Sequence, residues 1–173
     1  MSELKLEHKF DSDRKRHYLN DQLTVLHCHH YATLFTQLAL DASELADGPR
    51  ILQETVEDVF YEVLSGYFKK NGITDPKDRM DIAVQMFSAV GMGKMTVVSG
   101  SADGGEIEMP HPYVDEGWLN KWGKYKAPVN FIGAGYISGM FSAAFDKPIR
   151  SYNVTEDKSK VMGAGASHFK VTV

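Results

Sequence analysis

The stretch GYISGMFSAAFDKPIRSYNVTEDKSKVMGAGASHFKV, residues 135–171, changes its periodicity twice, and those changes decide the fold. Ile132, Tyr136, Ile137, Met140, Phe141 and Phe145 recur at helical spacing and predict a helix over 129–145. Gly135 and Gly139 stand four apart, so they share one face on which another backbone can approach closely. Two strand-like segments follow, IRSYNVT and SHFKVTV, separated by a glycine-rich turn at residues 162–165. One chain segment therefore carries a helix and then an antiparallel pair.

Working outward, KMTVVSG and EIEMPHP flank Ala102-Asp103-Gly104-Gly105, a second hairpin signal. Upstream the periodicity is helical. Leu23, Leu26, Leu34 and Leu38 predict a first helix from Leu23 to about Ala46. A second follows Pro49, with a stripe of Leu52, Val56, Val59, Phe60, Val63, Leu64 and Tyr67, and ends near Asn71-Gly72. Asp75-Pro76 opens a third through Met80, Val84, Phe87 and Val90. The pattern predicts a single domain over 1–173, with a mainly helical half at 1–93 and a hairpin–helix–hairpin half at 94–173. It predicts an α+β fold with several helices packed on one side of an antiparallel sheet.

At 173 residues, with 43% hydrophobic and 24% charged residues, the composition is that of an ordinary globular protein. A net charge of −4 argues against nucleic acid as the partner, because phosphate binding needs a concentrated basic face. The short basic run at Arg14-Lys15-Arg16 is balanced by Asp11, Asp13 and Asp21. One cysteine excludes an intrachain disulfide framework and suits a reducing compartment. No apolar run approaches the roughly 18 residues of a membrane span, so the expectation is a cytoplasmic protein with no membrane span.

The ordered elements of residues 94–173 resemble the 4-vinyl reductase domain family, whose fold is related to subunits of vesicle-tethering complexes. Gly135-Tyr136, Gly139, Lys147-Pro148, Glu156, Met162-Gly163 and Phe169 fall where the family pattern expects them. Members that carry zinc have two cysteines after the glutamate, three and then eight residues on; here Ser159 and Ser167 stand in those places beside Glu156. Serine is a poor zinc ligand beside thiolate, so no metal is expected at Glu156, Ser159 and Ser167. His168 adjoins Ser167 in a period-two strand and should face the other way. The resemblance implies a small-molecule binder or sensor with a pocket between helices and sheet for an apolar, aromatic or hydrocarbon-like ligand, commonly in a homodimer.

Two residue clusters bear on that reading. His27-Cys28-His29-His30 gathers three histidines and the cysteine. On a helix, neighbours diverge by about 100°, so the four cannot chelate one ion. His27 and His30 share the leucine stripe, Cys28 looks elsewhere as a small buried hydrophobe, and His29 falls near Val25 and Thr36. The pair His27 and His30 has three readings: histidines satisfied by hydrogen bonds, recognition of a ligand's polar end, or a metal or haem site completed by a distant residue such as His111 or Glu156. In MPHPYVDEGWLNKWGKY, Trp118 and Trp122 stand four apart and would stack on a short helix; the segment serves either as ligand wall or as a packed lid or dimer interface.

The expectation is a ligand-binding or sensing domain, acting through a partner or as a carrier, without a resident cofactor. His27, His30 and His111 would supply polar recognition, and Trp118, Trp122, Phe131 and Tyr136 apolar walls. The competing expectation is a haem- or transition-metal-dependent enzyme or accessory factor of aromatic or tetrapyrrole metabolism that uses His27 and His30.

Overall fold

The computed structural model describes residues 3–173. It consists of a three-stranded antiparallel sheet, β1 (His8–Asp11), β2 (Arg16–Leu19) and β3 (Gln22–Thr24), then helices α1 (His29–Asp41), α2 (Gly48–Asn71) and α3 (Pro76–Ala89). The hairpin β4 (Thr96–Ser101) and β5 (Gly104–Met109) follows, then α4 (Tyr113–Trp122), α5 (Phe131–Ala144), β6 (Asn153–Lys158) and β7 (Ser167–Thr172). The second sheet has the order β4-β5-β7-β6, so the two hairpins join through β5 and β7. The α+β class is as the periodicity predicts, and so is the order of helices, hairpin, helix and hairpin, except that a three-stranded sheet precedes the helices and a second helix, α4, stands between the hairpins.

Local chemistry sets the element ends. Asp47, Asp75 and Asn130 each accept a hydrogen bond from a main-chain N–H in the first turn of α2, α3 and α5, and Gly72 closes α2 at φ 65°. The central packing is α2 against α5. A Cβ on Gly135 would lie 2.3 Å from the Gln53 carbonyl oxygen, and one on Gly139 would lie 2.9 Å from that of Glu57. The small-residue face read from the sequence is thus the seam between these helices. The core then fills with Leu64, Phe68, Ile82, Phe87, Ile137, Met140 and Phe141 against Ile107, Met109, Phe169 and Val171 of the sheet.

Along β5 and β7, buried and exposed residues alternate. The outer face carries Glu106, His168 and Lys170; His168 and Lys170 both reach Asp157, at 2.6 Å and 2.9 Å. Ser167 points inward and His168 outward, as a period of two requires.

The N-terminal quarter departs from expectation. The first helix begins at His29, not Leu23, because residues 8–24 pair as strands. Asn20 and Asp21 both take positive φ, 49° and 67°, in a two-residue turn matched to strand twist. Asp11 caps the preceding turn by accepting from the main-chain N–H of Asp13 and Arg14. Cys28, extended at φ −80° and ψ 163°, is the N-cap of α1 and exposed, rather than a buried hydrophobe. Leu23 and Leu26 therefore lie outside the helix and are exposed, and the predicted four-leucine stripe does not form. The last hairpin also shifts. Arg150 turns at φ 68° and its guanidinium reaches the buried carboxylate of Glu57 at 2.8 Å, so β6 starts at Asn153 instead of Ile149.

Candidate functional site

Helix α4 is ten residues long and presents a different chemistry to each neighbour. Tyr113 faces the N-terminal segment, Gly117 faces α1, Trp118 enters a small second core, and Asp115 faces β7.

On the N-terminal side, the Tyr113 hydroxyl donates to the main-chain oxygen of His27 at 2.9 Å. Its ring centre lies 6.3 Å from that of His27 and 6.2 Å from that of His29. His27 lies before α1 rather than on it, and both His27 and His30 are exposed. The shared helical face that would have paired them is absent, since only one of the two is helical. The side chain of His27 instead borders a cleft of about 340 Å³ with His8, His17, Val25, Leu26, Met92 and Tyr113. His8 Nε2 and His17 Nδ1 stand 2.9 Å apart in its wall.

His29, set aside in the sequence reading, is the half-buried histidine of the run, with His27 and His30 exposed. Gly117 of α4 crosses α1 so closely that a Cβ there would sit 2.8 Å from Thr33 and 3.0 Å from His29. Packed into this crossing, His29 Nε2 is shielded from water and has no hydrogen-bond partner. Trp118 is 2% exposed and packs with Val129, Val161, Leu40 and Tyr125. Its ring centre is 4.5 Å from Trp122 and 5.2 Å from Tyr125, and its indole Nε1–H also lacks a partner. The two tryptophans meet on a short helix as the spacing predicts, but with their rings tilted by 45° rather than stacked.

The other expected ligand residues are dispersed. His111 is exposed and its Nδ1 meets Glu116 at 3.0 Å. Phe131 is half-buried at the start of α5. Tyr136 belongs to the main core: its hydroxyl donates to the Ala83 carbonyl at 2.7 Å, and Phe60 and Phe87 pack edge-on against its ring. It is filled in on all sides and is not a wall of an open pocket.

The inner end of α4 holds a cluster that the sequence reading reached only in part. Ser167 Oγ donates to Asp115 Oδ2 at 2.5 Å and accepts from the Lys160 main-chain N–H at 3.0 Å. Glu156 Oε2 accepts from the Asn130 main-chain N–H at 3.4 Å. Asp115 Oδ1, Glu156 Oε1 and Ser159 Oγ are all buried without a hydrogen-bond partner. Burial, reinforced by the nearby Glu156 carboxylate, pushes Asp115 up to about 7. Burial also raises Glu156, against the opposing pull of the Ser159 and Ser167 hydroxyls. The adjacent ammonium of Lys160 is held by the Pro110 carbonyl at 2.6 Å and Glu116 at 3.2 Å. Among the described residues, no three histidine, cysteine, aspartate or glutamate side chains converge as a metal ion would need. Asp115 was legible in principle: it stands three residues before Trp118 in an aromatic helix, so one buried face carries both.

No family model and no curated protein matches the chain. Solved structures do. The phenol-responsive sensory domain of the transcription activator PoxR, solved with phenol, superposes with a TM-score of 0.80 at 13% identity, over 95% of this chain and 84% of that one. A vinyl-4-reductase family protein from Methanocaldococcus jannaschii gives 0.58 at 14% identity, over 86% and 83%. A trafficking protein particle complex subunit 3 from Naegleria fowleri, covalently bound to palmitic acid, gives 0.55 at 13% identity, over 83% and 93%. The chain shares the fold of these proteins, and the likeness covers both halves rather than residues 94–173 alone.

Proposed function

We propose that this protein is a small-molecule sensing or carrying domain for a compact aromatic ligand with a hydroxyl or similar polar end. The observation that carries the reading is the pair of orphaned polar atoms on crossing helices, Trp118 Nε1 and His29 Nε2, both walled off from water. Buried polar groups are almost always hydrogen-bonded, and leaving one unmade costs about 1–3 kcal/mol. A phenol-like ligand supplies what both atoms lack: an oxygen that accepts from an indole N–H and a proton for an imidazole nitrogen. Trp118, Trp122 and Tyr125 supply apolar ring surface. The fold shared with a sensory domain solved with phenol supports this choice of ligand class. The histidine-lined cleft is the entrance in this reading, with Tyr113 between it and His29, and His27 at its rim.

The protein acts without haem or a transition metal and passes its signal through a partner or a second copy of itself. Tyr31, Leu34, Phe35 and Leu38 form an exposed apolar side of α1 suited to self-association. Among the described residues, no helix is long and apolar enough to cross a membrane.

The test is calorimetric titration with phenol and with toluene, its near-isostere without a hydroxyl, on wild type and Trp118→Phe. Phenol should bind and toluene should bind more weakly. Loss of one hydrogen bond worth about 1 kcal/mol should weaken phenol about fivefold in Trp118→Phe. Equal binding of the two probes, or phenol binding untouched by the substitution, would remove the basis for the reading.

A further inference from the structure

The cleft between the N-terminal sheet and the C-terminal end of α3 measures about 340 Å³, within the range of small-molecule sites. Val25, Leu26, Val90 and Met92 give it apolar sides. Its ionisable side chains are His8, His17, His27 and Tyr113; among the described residues, no carboxylate, lysine or arginine borders it. Strand register explains the selection. His8 and His17 fall on one face of β1 and β2, whereas Lys9, Asp11 and Arg16 fall on the other.

His8 Nε2 and His17 Nδ1 stand 2.9 Å apart, with the rings inclined by 18°. One of these nitrogens donates and the other accepts. A ring that accepts through one nitrogen carries its proton on the other, so the pair always turns one N–H donor outward. A second proton makes both outer nitrogens donors and leaves the contact between the rings intact. Within the described residues, neither outer nitrogen, His8 Nδ1 nor His17 Nε2, has a protein partner.

A carboxylate is the complement of this wall. It accepts only, offers two oxygens, and supplies the negative charge that the lining lacks. A neutral hydroxyl would satisfy one outer nitrogen, but an anion holds the pair in its two-donor form through charge-assisted hydrogen bonds. The negative end of α3 borders the same cleft and repels anions. That field sends a carboxylate to the histidine wall and an apolar body towards Val90 and Met92.

We propose that this cleft binds a compact organic acid, an apolar body with one carboxylate, which His8 and His17 hold by sharing a proton. In the reading above the cleft is only the way in to Trp118 and His29; as a site for acids it does not depend on that reading.

Sodium benzoate, benzyl alcohol and sodium sulfate would be titrated calorimetrically into the protein at pH 6 and at pH 8. One benzoate per chain should bind, about tenfold or more tighter than benzyl alcohol, which lacks the charge, or sulfate, which lacks the apolar body. Its affinity should fall about fivefold or more from pH 6 to pH 8, because imidazole changes charge in that range while a carboxylate stays ionised. His8→Phe and His17→Phe should each weaken benzoate about tenfold; His8 is exposed, so its replacement leaves the fold intact. His168→Gln, on the outer face of the other sheet, should leave benzoate binding unchanged. So should Trp118→Phe, which weakens phenol alone if the two sites are distinct. Absence of saturable benzoate binding overturns the proposal. So does benzyl alcohol or sulfate binding as tightly as benzoate, or a benzoate affinity that neither His8→Phe nor pH alters.

Discussion

Replacing Gly135 with alanine should destabilise the protein, and the size follows from the α2–α5 seam. The added Cβ would lie 2.3 Å from the Gln53 carbonyl oxygen and 2.9 Å from Val56 Cβ. An ordinary carbon–oxygen contact is about 3.4 Å, so the backbones must separate locally by about 1 Å. Both atoms met are backbone or at the root of a side chain, so no rotamer change relieves the clash. A gap of that size forfeits a quarter to a half of each dispersion contact along the seam. Overpacking in well-filled cores costs about 1–3 kcal/mol. Alanine is the better helix former by about 1 kcal/mol, which offsets part of the loss. The net expectation is about 1–2 kcal/mol, or a Tm lower by roughly 2–8 °C for a chain of this size. Gly66 provides the internal control. It lies within α2, is exposed, and a Cβ there meets nothing within 4 Å. Gly66→Ala should therefore gain about 0.5–1 kcal/mol from propensity alone. Calorimetric unfolding of both variants measures the difference. A Gly135→Ala protein as stable as Gly66→Ala would mean that the helices do not meet where described.

Three other outcomes are expected. Burial, with the nearby Glu156 carboxylate, pushes Asp115 up to about 7 against an ordinary 3.8, so its contribution to stability is fully present below the lower value. It is lost as pH rises through the folded-state value; the stability difference between wild type and Asp115→Asn should shrink or reverse over that range, and a pH-independent difference would refute it. Tyr136→Phe removes the buried hydroxyl bonded to the Ala83 carbonyl and should cost about 1 kcal/mol by urea unfolding. The proposed self-association through the exposed side of α1 predicts a wild-type dimer and a Leu38→Asp monomer by analytical ultracentrifugation, with an unchanged circular dichroism spectrum.

Residues 129–171 were legible because their signals agree with one another. Helical spacing, two glycines on one face and a period-two strand all point to the same packing, and tertiary contacts reinforce them. The first thirty residues were misread because leucine spacing at 23, 26, 34 and 38 imitates a helix that α1 only half contains. The decisive local signal there was Asn20-Asp21, a pair that tolerates positive φ and turns one strand into the next. That error moved the start of the helix and inverted the histidine run, so the exposed His27 and His30 were favoured over the half-buried His29. Trp118 and Trp122 were found because an i, i+4 pair needs only a local helix. Asp115 was missed because its partners, Ser167 and Glu156, lie 52 and 41 residues away in the chain. No periodicity links such distant positions.

The small N-terminal sheet is fastened differently from the rest of the molecule. Its ties include the Leu4 main-chain N–H to Gln85, the Lys5 main-chain N–H to the Tyr67 hydroxyl, and an ion pair between Asp21 and Lys70. These bonds lie at or near the surface, where each opens into water at little net loss. The sheet is thus a unit of low local stability built onto one of high stability, and regions of that kind open without unfolding the remainder. It also forms one wall of the cleft that carries His8, His17 and His27. If that cleft is the proposed entrance, access follows a local equilibrium of these strands rather than the melting of the core, and amide exchange in β1–β3 should outrun that of α5 by orders of magnitude.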